Sequence, residues 1–466
     1  MKKFVAFEQQ AYFKTAGLHL HLKKASGMKV MKFGGTSVGK PERMHDVATL
    51  ITNDSEKKIV VLSAVSGTTN ALVTISSYLA KGNRTAAKEA IDALEKSYQA
   101  FVWQLVQAET AREKAAAILK EHFEFLNIIL KISYSEALNK DILAQGELLS
   151  TKLFSVYLTE QNIPHVLLPA LEFMTLDAND EPQVAVIKEK LSKLLQQHGD
   201  LKLFITQGFI CRNARGEVDN LKRGGSDYSA SLIAAAVGAS ACEIWTDISG
   251  MHNNDPRLVN KTIPIEQLSF DEAAELAYFG AKILHPASIW PAQQYKVPVK
   301  LLNTMEPSAK GTLIAAEAAS KGVKAVAAKD GITAINIRSS RMLLAYGFLR
   351  KVFEIFEKYR TPIDMITTSE VAVSVTIDNA SELPAIIKEL EVLGTVDVDT
   401  DQAIVCIVGN ELASDHGVLK KLFQSLDGIE VRMVSFGGSA HNVSILVDSN
   451  QKVNVLQQLN SGLFGL

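Results

Sequence analysis

The sequence has little of what marks secreted, membrane-bound or nucleic-acid-binding proteins. Its 466 residues include only three cysteines, Cys211, Cys242 and Cys406, which form no C-x-x-C pair. This argues against a disulfide framework and against a zinc site. Lysine and arginine total 49 against 51 aspartate and glutamate residues, so no basic excess favours nucleic acid or an anionic membrane. We therefore expect a cytoplasmic protein that handles small molecules.

Long apolar runs are also missing from the start of the chain. His21, Lys23 and Lys24 interrupt any segment long enough for a signal peptide or a membrane span. We expect residues 1–27 to be an extension outside the fold, with either Met1 or Met28 as the true start. The length and the hydrophobic content of 47% fit roughly three globular domains.

Directly after Met28 the chain has a strand pattern that runs into a glycine turn, VMKFGGTSVG. Lys32 would lie at the end of the strand, and Gly34 and Gly35 allow backbone N–H groups to approach an oxyanion. Thr36 and Ser37 suit the N-terminus of a helix, whose partial positive charge attracts anions. The pattern predicts a phosphate site, with a ligand-free strand-to-helix turn as the alternative.

The same segment imitates a P-loop without being one. Residues 34–40 satisfy G-x-x-x-x-G-K, but Pro41 stands where the Mg²⁺-binding hydroxyl belongs. Lys32 also precedes the glycines, whereas a P-loop lysine follows them. The predicted phosphate site is therefore of another kind.

Continuous apolar strands alternate with helices over the first two thirds of the chain, which predicts an α/β fold with a mainly parallel sheet. The strands are expected within residues 57–70, 165–169, 201–210 and 241–257. Ligand sites of such sheets lie at the carboxyl ends of the strands. Gly146 interrupts a helix pattern just before Glu147 at a cost of about 1 kcal/mol relative to alanine, which indicates a close approach to the helix backbone.

Beyond about Gly311 the pattern changes to short alternating strands and short helices. Residues 347–378 match residues 417–448 in a helix, strand, turn, strand order, and each copy continues into one more helix. We interpret the copies as two βαββαβ units. Such units leave sheet edges and helix faces open, so we expect this half to make oligomer contacts and to bind a ligand between units.

Seven segments, taken in order, resemble the aspartokinases: KFGGTSVG, SGTTN, QGELLS, LKRGGSDYSA, WTDISG, DPR and FGAKILHP. The two repeats resemble the ACT domains of that family, and the likeness, which begins at Met28, is greatest for the lysine-sensitive single-function type. It implies an amino-acid-kinase domain over residues 28–311, an αβα sandwich of three layers with a mainly parallel open sheet. Two α+β ferredoxin-like ACT regulatory domains are expected to follow, over residues 312–400 and 401–466. The first segment of the former could instead complete the latter.

The resemblance also implies a reaction. ATP would transfer its γ-phosphoryl group to the side-chain carboxylate of L-aspartate, giving 4-phospho-L-aspartate at the first step of lysine, threonine and methionine biosynthesis. Because this nucleophile is already ionised at pH 7, the site needs cations and N–H donors rather than a general base. Mg²⁺ is expected with ATP as co-substrate, without a protein metal site or a tightly bound cofactor.

By this resemblance Lys32 and Lys282 bring positive charge to the phosphates, while Asp227 organises Mg²⁺ or the lysines, with an N-cap role as its alternative. Arg223 suits the α-carboxylate of aspartate, and Glu147 suits its α-ammonium. The further substrate contacts are assigned to Thr69, Gly224, Gly225 and Ser226. The ATP site is assigned to Lys32, Phe33, Gly34, Gly35, Thr36, Ser37, Thr246, Asp247, His252, Arg257, Lys282 and Ile283. His252 departs from the family, which often has tyrosine there.

The resemblance further places an effector site in the first repeat, at Met342, Ala345, Phe348, Leu349, Ile363, Asp364, Ser369 and Glu370. Asp364 and Glu370 could pair with a cationic ligand, which favours lysine over threonine; an ordinary solvated acidic face is the alternative. Ala345 replaces an expected hydroxyl residue, so the identity and strength of the effector stay open. A homo-oligomer through the ACT domains is expected, as a dimer or a tetramer.

Three other functions are alternatives to this one. A kinase of another small carboxylate, such as glutamate, is the nearest, but Arg223 and Glu147 together suit both termini of a free amino acid. A nonenzymatic amino-acid sensor would have lost charges such as Lys32 and Asp227, which are present. A dinucleotide oxidoreductase would need a G-x-G-x-x-G after an early strand, and none occurs there.

Overall fold

A computed structural model describes residues 27–221, 224–280, 284–317, 320–342 and 346–466 of the chain. The predicted extension, apart from Gly27, lies outside the described residues. The described part of the chain forms one eight-stranded sheet, one six-stranded sheet and a small two-stranded hairpin. Within it no helix is both long and apolar enough to cross a membrane.

The strands are β1 (Met28–Phe33), β2 (Lys57–Leu62), β3 (Val166–Leu168), β4 (Leu203–Gln207), β5 (Ile210–Arg212), β6 (Val218–Asn220), β7 (Cys242–Thr246), β8 (Gln267–Ser269), β9 (Val299–Asn303), β10 (Thr312–Ala315), β11 (Gly322–Arg338), β12 (Ile366–Thr368), β13 (Ala372–Ile377), β14 (Thr395–Asn410), β15 (Met433–Phe436) and β16 (Asn442–Asp448). The helices are α1 (Pro41–Thr52), α2 (Thr68–Ala80), α3 (Arg84–Leu105), α4 (Glu109–Ile129), α5 (Glu136–Glu160), α6 (Ala170–Phe173), α7 (Val184–Gln197), α8 (Gly225–Val237), α9 (Phe270–Tyr278), α10 (Pro286–Gln294), α11 (Phe348–Lys358), α12 (Leu383–Leu390), α13 (Val418–Gln424) and α14 (Lys452–Phe464).

The first sheet has the order β3-β4-β2-β1-β7-β9-β10-β8. Neighbouring strands are parallel except β9 and β10, which are antiparallel. The predicted mainly parallel sheet is thus confirmed. Strand β1 lies between β2 and β7, so the residues after it stand at the centre of the carboxyl edge.

The two faces of β1 belong to different cores. Met28 and Val30 pack with α8 in one core, whereas Met31 and Phe33 pack with α1 to α5 in the other. This alternation follows from the period of two in a strand, and it makes the sheet the middle layer of a three-layer sandwich. Lys32 shares the face of Val30 and is therefore directed towards α8.

The second sheet, in the order β12-β13-β11-β14-β16-β15, unites the two repeats through its long central strands. The pairing of β11 with β14 shifts register near Gly331 and Asp401, both of which have positive φ. Beyond this break the first half of β11 pairs with the second half of β14. The segment 322–329 thus lies in the sheet of the second repeat, the alternative that the sequence left open.

Strand β10 lies in the first sheet, where it pairs with β8 and β9. We therefore propose that the kinase domain extends through Ala315, four residues past the boundary expected from the sequence. The two sheets share a core, because Ala273, Leu276 and Phe279 of and just after α9 pack together with Ile404 and other apolar residues of β14.

Candidate active site

A cavity of about 480 Å³ opens at the carboxyl edge of the first sheet. It lies where β1, β2, β4 and β7 end, as expected for a parallel α/β sheet. Of the residues predicted from the sequence, the following line it: Gly35, Thr36, Thr69, Glu147, Gly225, Ser226, Thr246 and Asp247.

Lys32 and Asp227 pair with each other and are not among the cavity-lining residues, but Lys32 lies next to the glycine turn: a Cβ at Gly34 would lie 3.3 Å from its Nζ, and the adjacent Gly35 lines the cavity. Nζ of Lys32 lies 2.7 Å from Oδ1 of Asp227, in the first turn of α8, and 11% of the lysine side chain is exposed. Gly224 occupies the N-cap position of α8, so the alternative N-cap role for Asp227 is wrong. The carboxylate fixes the direction of the ammonium group, which is the lysine-organising role that the resemblance implied.

Glu147 is buried and lines the cavity. Its Oε1 accepts a hydrogen bond of 3.2 Å from the backbone N–H of Ala64, whereas its Oε2 is buried without a hydrogen-bond partner among the described residues. A Cβ at Gly146 would lie 2.8 Å from Cβ of Ala64. The predicted close approach to Gly146 is therefore confirmed: the glycine lets α5 lie against the end of β2 and brings Glu147 into the cavity.

Burial raises the pKa of the Glu147 carboxyl to about 8, and backbone hydrogen bonds, first that of Ala64, only partly oppose this effect. The empty site therefore favours the protonated acid near neutral pH. An ammonium group beside Oε2 would favour the carboxylate instead. A buried acid with one unpartnered oxygen is suited to receive a cationic ligand group.

The glycine turn packs closely but does not begin a helix. A Cβ at Gly35 would lie 3.1 Å from the carbonyl oxygen of Ala64. Helix α1 starts only at Pro41, so the predicted helix N-terminus at Thr36 and Ser37 is wrong. Proline is favoured at the first position of a helix, and Pro41 marks the start of α1 better than the hydroxyl residues Thr36 and Ser37 do.

Two residues assigned to ATP have buried side chains. Phe33 is fully buried and stacks on Trp245 with ring centroids 5.7 Å apart. The hydroxyl of Ser37 is buried and lies 2.7 Å from Oγ1 of Thr304. Neither residue is among the cavity-lining residues, and their assignment to ATP stays a prediction.

The nucleotide assignments after β7 are only partly brought together. Thr246 and Asp247 line the cavity, and the Thr246 hydroxyl donates to Oδ1 of Asp247 at 3.1 Å. Nδ1 of His252 lies 2.8 Å from the Thr262 hydroxyl, and burial lowers the pKa of this imidazole. Arg257 is exposed and pairs with Asp255 at 2.7 Å. Neither His252 nor Arg257 is among the cavity-lining residues.

Phe209 also lines the cavity, and no sequence motif predicted it. This residue follows β4 with φ of +64°, and its backbone N–H donates to the Ser229 hydroxyl at 2.9 Å. A Cβ at Gly225 would lie 2.4 Å from the Phe209 ring, so the ring packs directly on the start of α8. Left-handed backbone at a phenylalanine is strained, and no sequence signal marks it.

Several predicted residues lie outside the described residues: Arg223, Lys282, Ile283 and Ala345. Their roles stay predictions. Gly224, just after Arg223, adopts φ of +75°, and a Cβ there would lie 3.1 Å from Ser288 on α10.

Among the predicted effector residues, Asp364 is neither free nor solvated. Its side chain is 1% exposed; Oδ1 lies 2.9 Å from Nζ of Lys329 and accepts a 2.5 Å hydrogen bond from the Tyr278 hydroxyl. Burial and this bond raise the pKa of Tyr278 to about 12, so the phenol remains a donor. Although burial disfavours its ammonium, bonds to Asp378 and Asp364 raise the pKa of Lys329. The solvated-face alternative is wrong for Asp364.

The other effector candidates have mixed environments. Phe348 is buried in the core of the first repeat, with Met342 and Ile363 packed against it, whereas Leu349, Ser369 and Glu370 are exposed. For Glu370 the solvated alternative stays open.

Within the described part of the chain, no cluster of three or more histidine, cysteine, aspartate or glutamate side chains could hold a metal ion. The acidic residues that line the cavity are Glu147 and Asp247, and Asp227 follows the lining residue Ser226 in sequence. Mg²⁺ that arrives on a polyphosphate needs only one or two carboxylates and keeps several waters, so these residues fit Mg²⁺ as part of a nucleotide substrate.

Comparison with known proteins agrees with this geometry. A profile of the amino acid kinase family matches residues 27–303, and a profile of the ACT domain matches residues 405–463. Lysine-sensitive aspartokinase 3 of Escherichia coli is 35% identical over 451 residues, covering 94% of this chain and 100% of that protein. Chloroplastic aspartokinase 3 of Arabidopsis thaliana is 35% identical and covers 93% of this chain and 81% of that protein.

Solved structures give the same picture. Escherichia coli aspartokinase III in complex with aspartate and ADP, the R-state, matches with a TM-score of 0.79, and its T-state complex with lysine and aspartate matches with 0.78. Both are 35% identical and cover 94% of this chain and 100% of theirs. The aspartate kinase of Clostridium acetobutylicum, at 24% identity and a TM-score of 0.80, supports the fold alone.

Proposed function

Because the chain belongs to the aspartokinases of the amino acid kinase family, we propose that it transfers the γ-phosphoryl group of ATP to the side-chain carboxylate of L-aspartate. The product is 4-phospho-L-aspartate, the entry point of lysine, threonine and methionine biosynthesis. One observation carries this proposal: the buried, half-satisfied Glu147 and the glycine turn at Gly35 line one cavity, and Lys32, aligned by Asp227, lies next to that turn, its Nζ 3.3 Å from where a Cβ at Gly34 would stand.

The two groups divide the recognition of the reactants. Glu147 receives the α-ammonium of aspartate, which supplies the missing partner of Oε2 and ionises the acid. Lys32 neutralises charge on the phosphoryl group as it passes between two anions. The hydroxyls of Thr69 and Ser226, which line the cavity, are placed to bond the substrate. Arg223 remains our proposed partner for the α-carboxylate.

ATP enters as its Mg²⁺ complex. The metal neutralises phosphate charge when bound, and the carboxylates of Asp227 and Asp247 are the described groups nearest in chemistry to its needs. Thr246 and Asp247 at the end of β7 line the nucleotide side of the cavity. The backbone of Gly35 and Thr36 forms the floor over which the phosphates lie.

Lysine is the proposed feedback inhibitor, and Asp364 is the residue that supports this. Its carboxylate already pairs with one lysine ammonium, that of Lys329, and with Tyr278 of the kinase domain. A free lysine that binds through Asp364 must therefore displace the ammonium group of Lys329 and break the hydrogen bond to Tyr278. Inhibition follows if this exchange favours the inactive state, with a coupling of about 1–3 kcal/mol.

Assembly through the ACT domains is a further proposal, supported by apolar side chains on the surface of the first repeat. Leu349 and Phe353, one turn apart on α11, are 38% and 41% exposed, and Ile366 at the sheet edge is 37% exposed. Apolar surface of this kind marks protein interfaces. A cytoplasmic location is also proposed, in keeping with three buried, unpaired cysteines.

A coupled assay of ADP release tests the main proposal. Aspartate should support turnover, whereas N-acetylglutamate should support little or none because it lacks the ammonium group that Glu147 binds. Glutamate, which keeps the ammonium and is one methylene longer, is compared in the same assay. Radiolabelled phosphate from ATP should appear in an acyl phosphate, which hydroxylamine traps. Preference for glutamate or acetylglutamate would replace the assignment with the alternative, a kinase of another small carboxylate.

A further inference from the structure

The nucleotide side of the cavity is held by a loop that also belongs to the second ACT repeat. This loop, residues 247–266, joins β7 to β8. Its first residue, Asp247, lines the cavity. Further along, Val259 is 5% exposed and packs in the core of the second repeat, with Val405 and Leu456. One stretch of kinase chain therefore touches both the reaction site and the regulatory core.

Three buried asparagines join the loop to α14. Nδ2 of Asn253 donates to Oδ1 of Asn460 at 3.1 Å, and Nδ2 of Asn254 donates to the carbonyl of Leu456 at 3.0 Å. In return, Nδ2 of Asn460 donates to the carbonyl of Lys261 at 2.9 Å. All three asparagines are 2–3% exposed, so these bonds are made in a low-dielectric environment where a lost partner is costly.

The same asparagines close the loop on itself. Oδ1 of Asn253 accepts from the backbone N–H of Ile263 at 2.6 Å, and the Asn253 carbonyl accepts from Val326 of β11 at 2.8 Å. Between this anchor and Asp247 only five residues intervene, and Met251 among them is bonded to the Thr312 hydroxyl at 2.8 Å. A displacement of α14 would therefore move Asn253, and only this short segment, itself bonded to Thr312, separates Asn253 from Asp247.

We infer that Asn460 of α14 is a positioning residue for the nucleotide: it holds the β7–β8 loop so that Asp247 meets ATP. The inference rests on the proposed function for the identity of the nucleotide. It assigns the C-terminal helix of the regulatory half a direct part in nucleotide affinity, separate from the contact of Asp364 with Tyr278. Aspartate binding at Glu147 does not depend on it.

Steady-state kinetics of Asn460→Ala test the inference. The KM for ATP and the dissociation constant for ADP should rise by roughly three- to thirtyfold, the usual range for such coupling, while the KM for aspartate stays within twofold. Leu422→Ala on α13 is the matched control, since it removes a buried side chain from the same core without touching the asparagines. Equal effects of the two variants on ATP, or no effect of Asn460→Ala, would overturn the inference.

A measurement on the unaltered protein guards against variants that do not fold. By reciprocity, saturating ADP should slow hydrogen exchange in residues 452–464 as well as in the loop. Unchanged exchange in that helix would contradict the inference, whereas an enzyme that binds ADP but does not phosphorylate aspartate would contradict only the proposed function.

Discussion

Two lysines on one strand meet different carboxylates. Lys32, near the carboxyl end of β1, pairs with Asp227, whereas Lys29, three residues earlier and on the opposite face of the strand, pairs with Asp54 and Glu56 at 3.1 and 3.0 Å. Replacing Lys32 by alanine removes the ammonium group next to the glycine turn, where a Cβ at Gly34 would lie 3.3 Å from its Nζ. We expect kcat to fall by about 10²- to 10³-fold, as for loss of a preorganised charge elsewhere, in the ADP-release assay at saturating substrates.

Lys29→Ala is the control for this prediction. It removes the same charge from the other face of the same strand, where Lys29 is 15% exposed and its closest partners, Asp54 and Glu56, are 36% and 57% exposed. Its kcat should remain within about threefold of the unaltered enzyme. Near-normal turnover of Lys32→Ala would show that the phosphoryl group is neutralised by other residues.

Glu147 makes aspartate binding depend on pH. Below pH 8 the free site carries a proton on this acid, because burial raises its pKa to about 8, and the proton must leave when the ammonium of aspartate binds. The KM for aspartate should therefore fall as pH rises towards 8, by at most about tenfold per unit, and level off above it. Glu147→Gln should abolish this slope and raise the KM, and a KM that does not change from about pH 6 to 8 would contradict the assignment.

The sequence predicted Lys32, Asp227 and Glu147 because each lies in a distinctive segment whose residue types suit an anionic or zwitterionic substrate. It did not predict that the side chains of Phe33 and Ser37 are buried. Phe33 points inward from β1, and whether that face is core depends on which helices cover it, whereas Ser37 lies in the turn after β1 and is buried against Thr304. Phe209 was missed because its left-handed backbone is imposed by the packing of its ring on Gly225.

At the scale of elements, the position of α5 against β2 depends on a single missing side chain. Gly146→Ala adds a Cβ that would lie 2.8 Å from Cβ of Ala64, so the helix must move and take Glu147 with it. Alanine favours a helix by about 1 kcal/mol over glycine, so stability should change little while the KM for aspartate rises by roughly tenfold. Calorimetry and steady-state kinetics separate the two effects.

A second substitution supplies the control. Ala64→Gly removes the Cβ that the new methyl group would meet, so the double variant Gly146→Ala, Ala64→Gly should recover most of the affinity for aspartate. Failure of the double variant to recover would mean that Gly146 matters for another reason than this contact.

The elements themselves were largely predictable. The buried strands and the two repeats have strong periodic patterns, and the structure places β2, β3, β4 and β7 within the expected segments. The pairing of the first half of β11 with the second repeat was left open, because nothing local distinguishes one partner of a long alternating strand from another. The register shift at Gly331 and Asp401 decides it.

At the scale of the whole molecule, α9 of the kinase domain makes hydrogen bonds to both ACT repeats. Glu275 accepts hydrogen bonds from Ser439 at 3.0 Å and from Asn442 at 2.6 Å in the second repeat. Tyr278 donates to Asp364 in the first repeat, and its ring lies 4.4 Å from Nζ of Lys329. The helix therefore follows any rearrangement of the regulatory sheet, and it leads directly in sequence to Lys282.

Tyr278→Phe tests whether the contact at Asp364 opposes inhibition. The variant keeps the aromatic ring over Lys329 and loses the hydroxyl bond, so a lysine effector has one partner fewer to displace. We expect half-inhibition at a lysine concentration about three- to thirtyfold lower than for the unaltered enzyme. Tyr359→Phe is matched to it, because it removes a 2.6 Å bond to Glu389 that lies wholly within the first repeat, and it should leave the response to lysine unchanged. Threonine and methionine, titrated separately, test the identity of the effector. If none of the three amino acids changes the activity, the regulatory proposal is wrong. If lysine inhibits Tyr278→Phe and the unaltered enzyme equally, the coupling does not pass through Asp364.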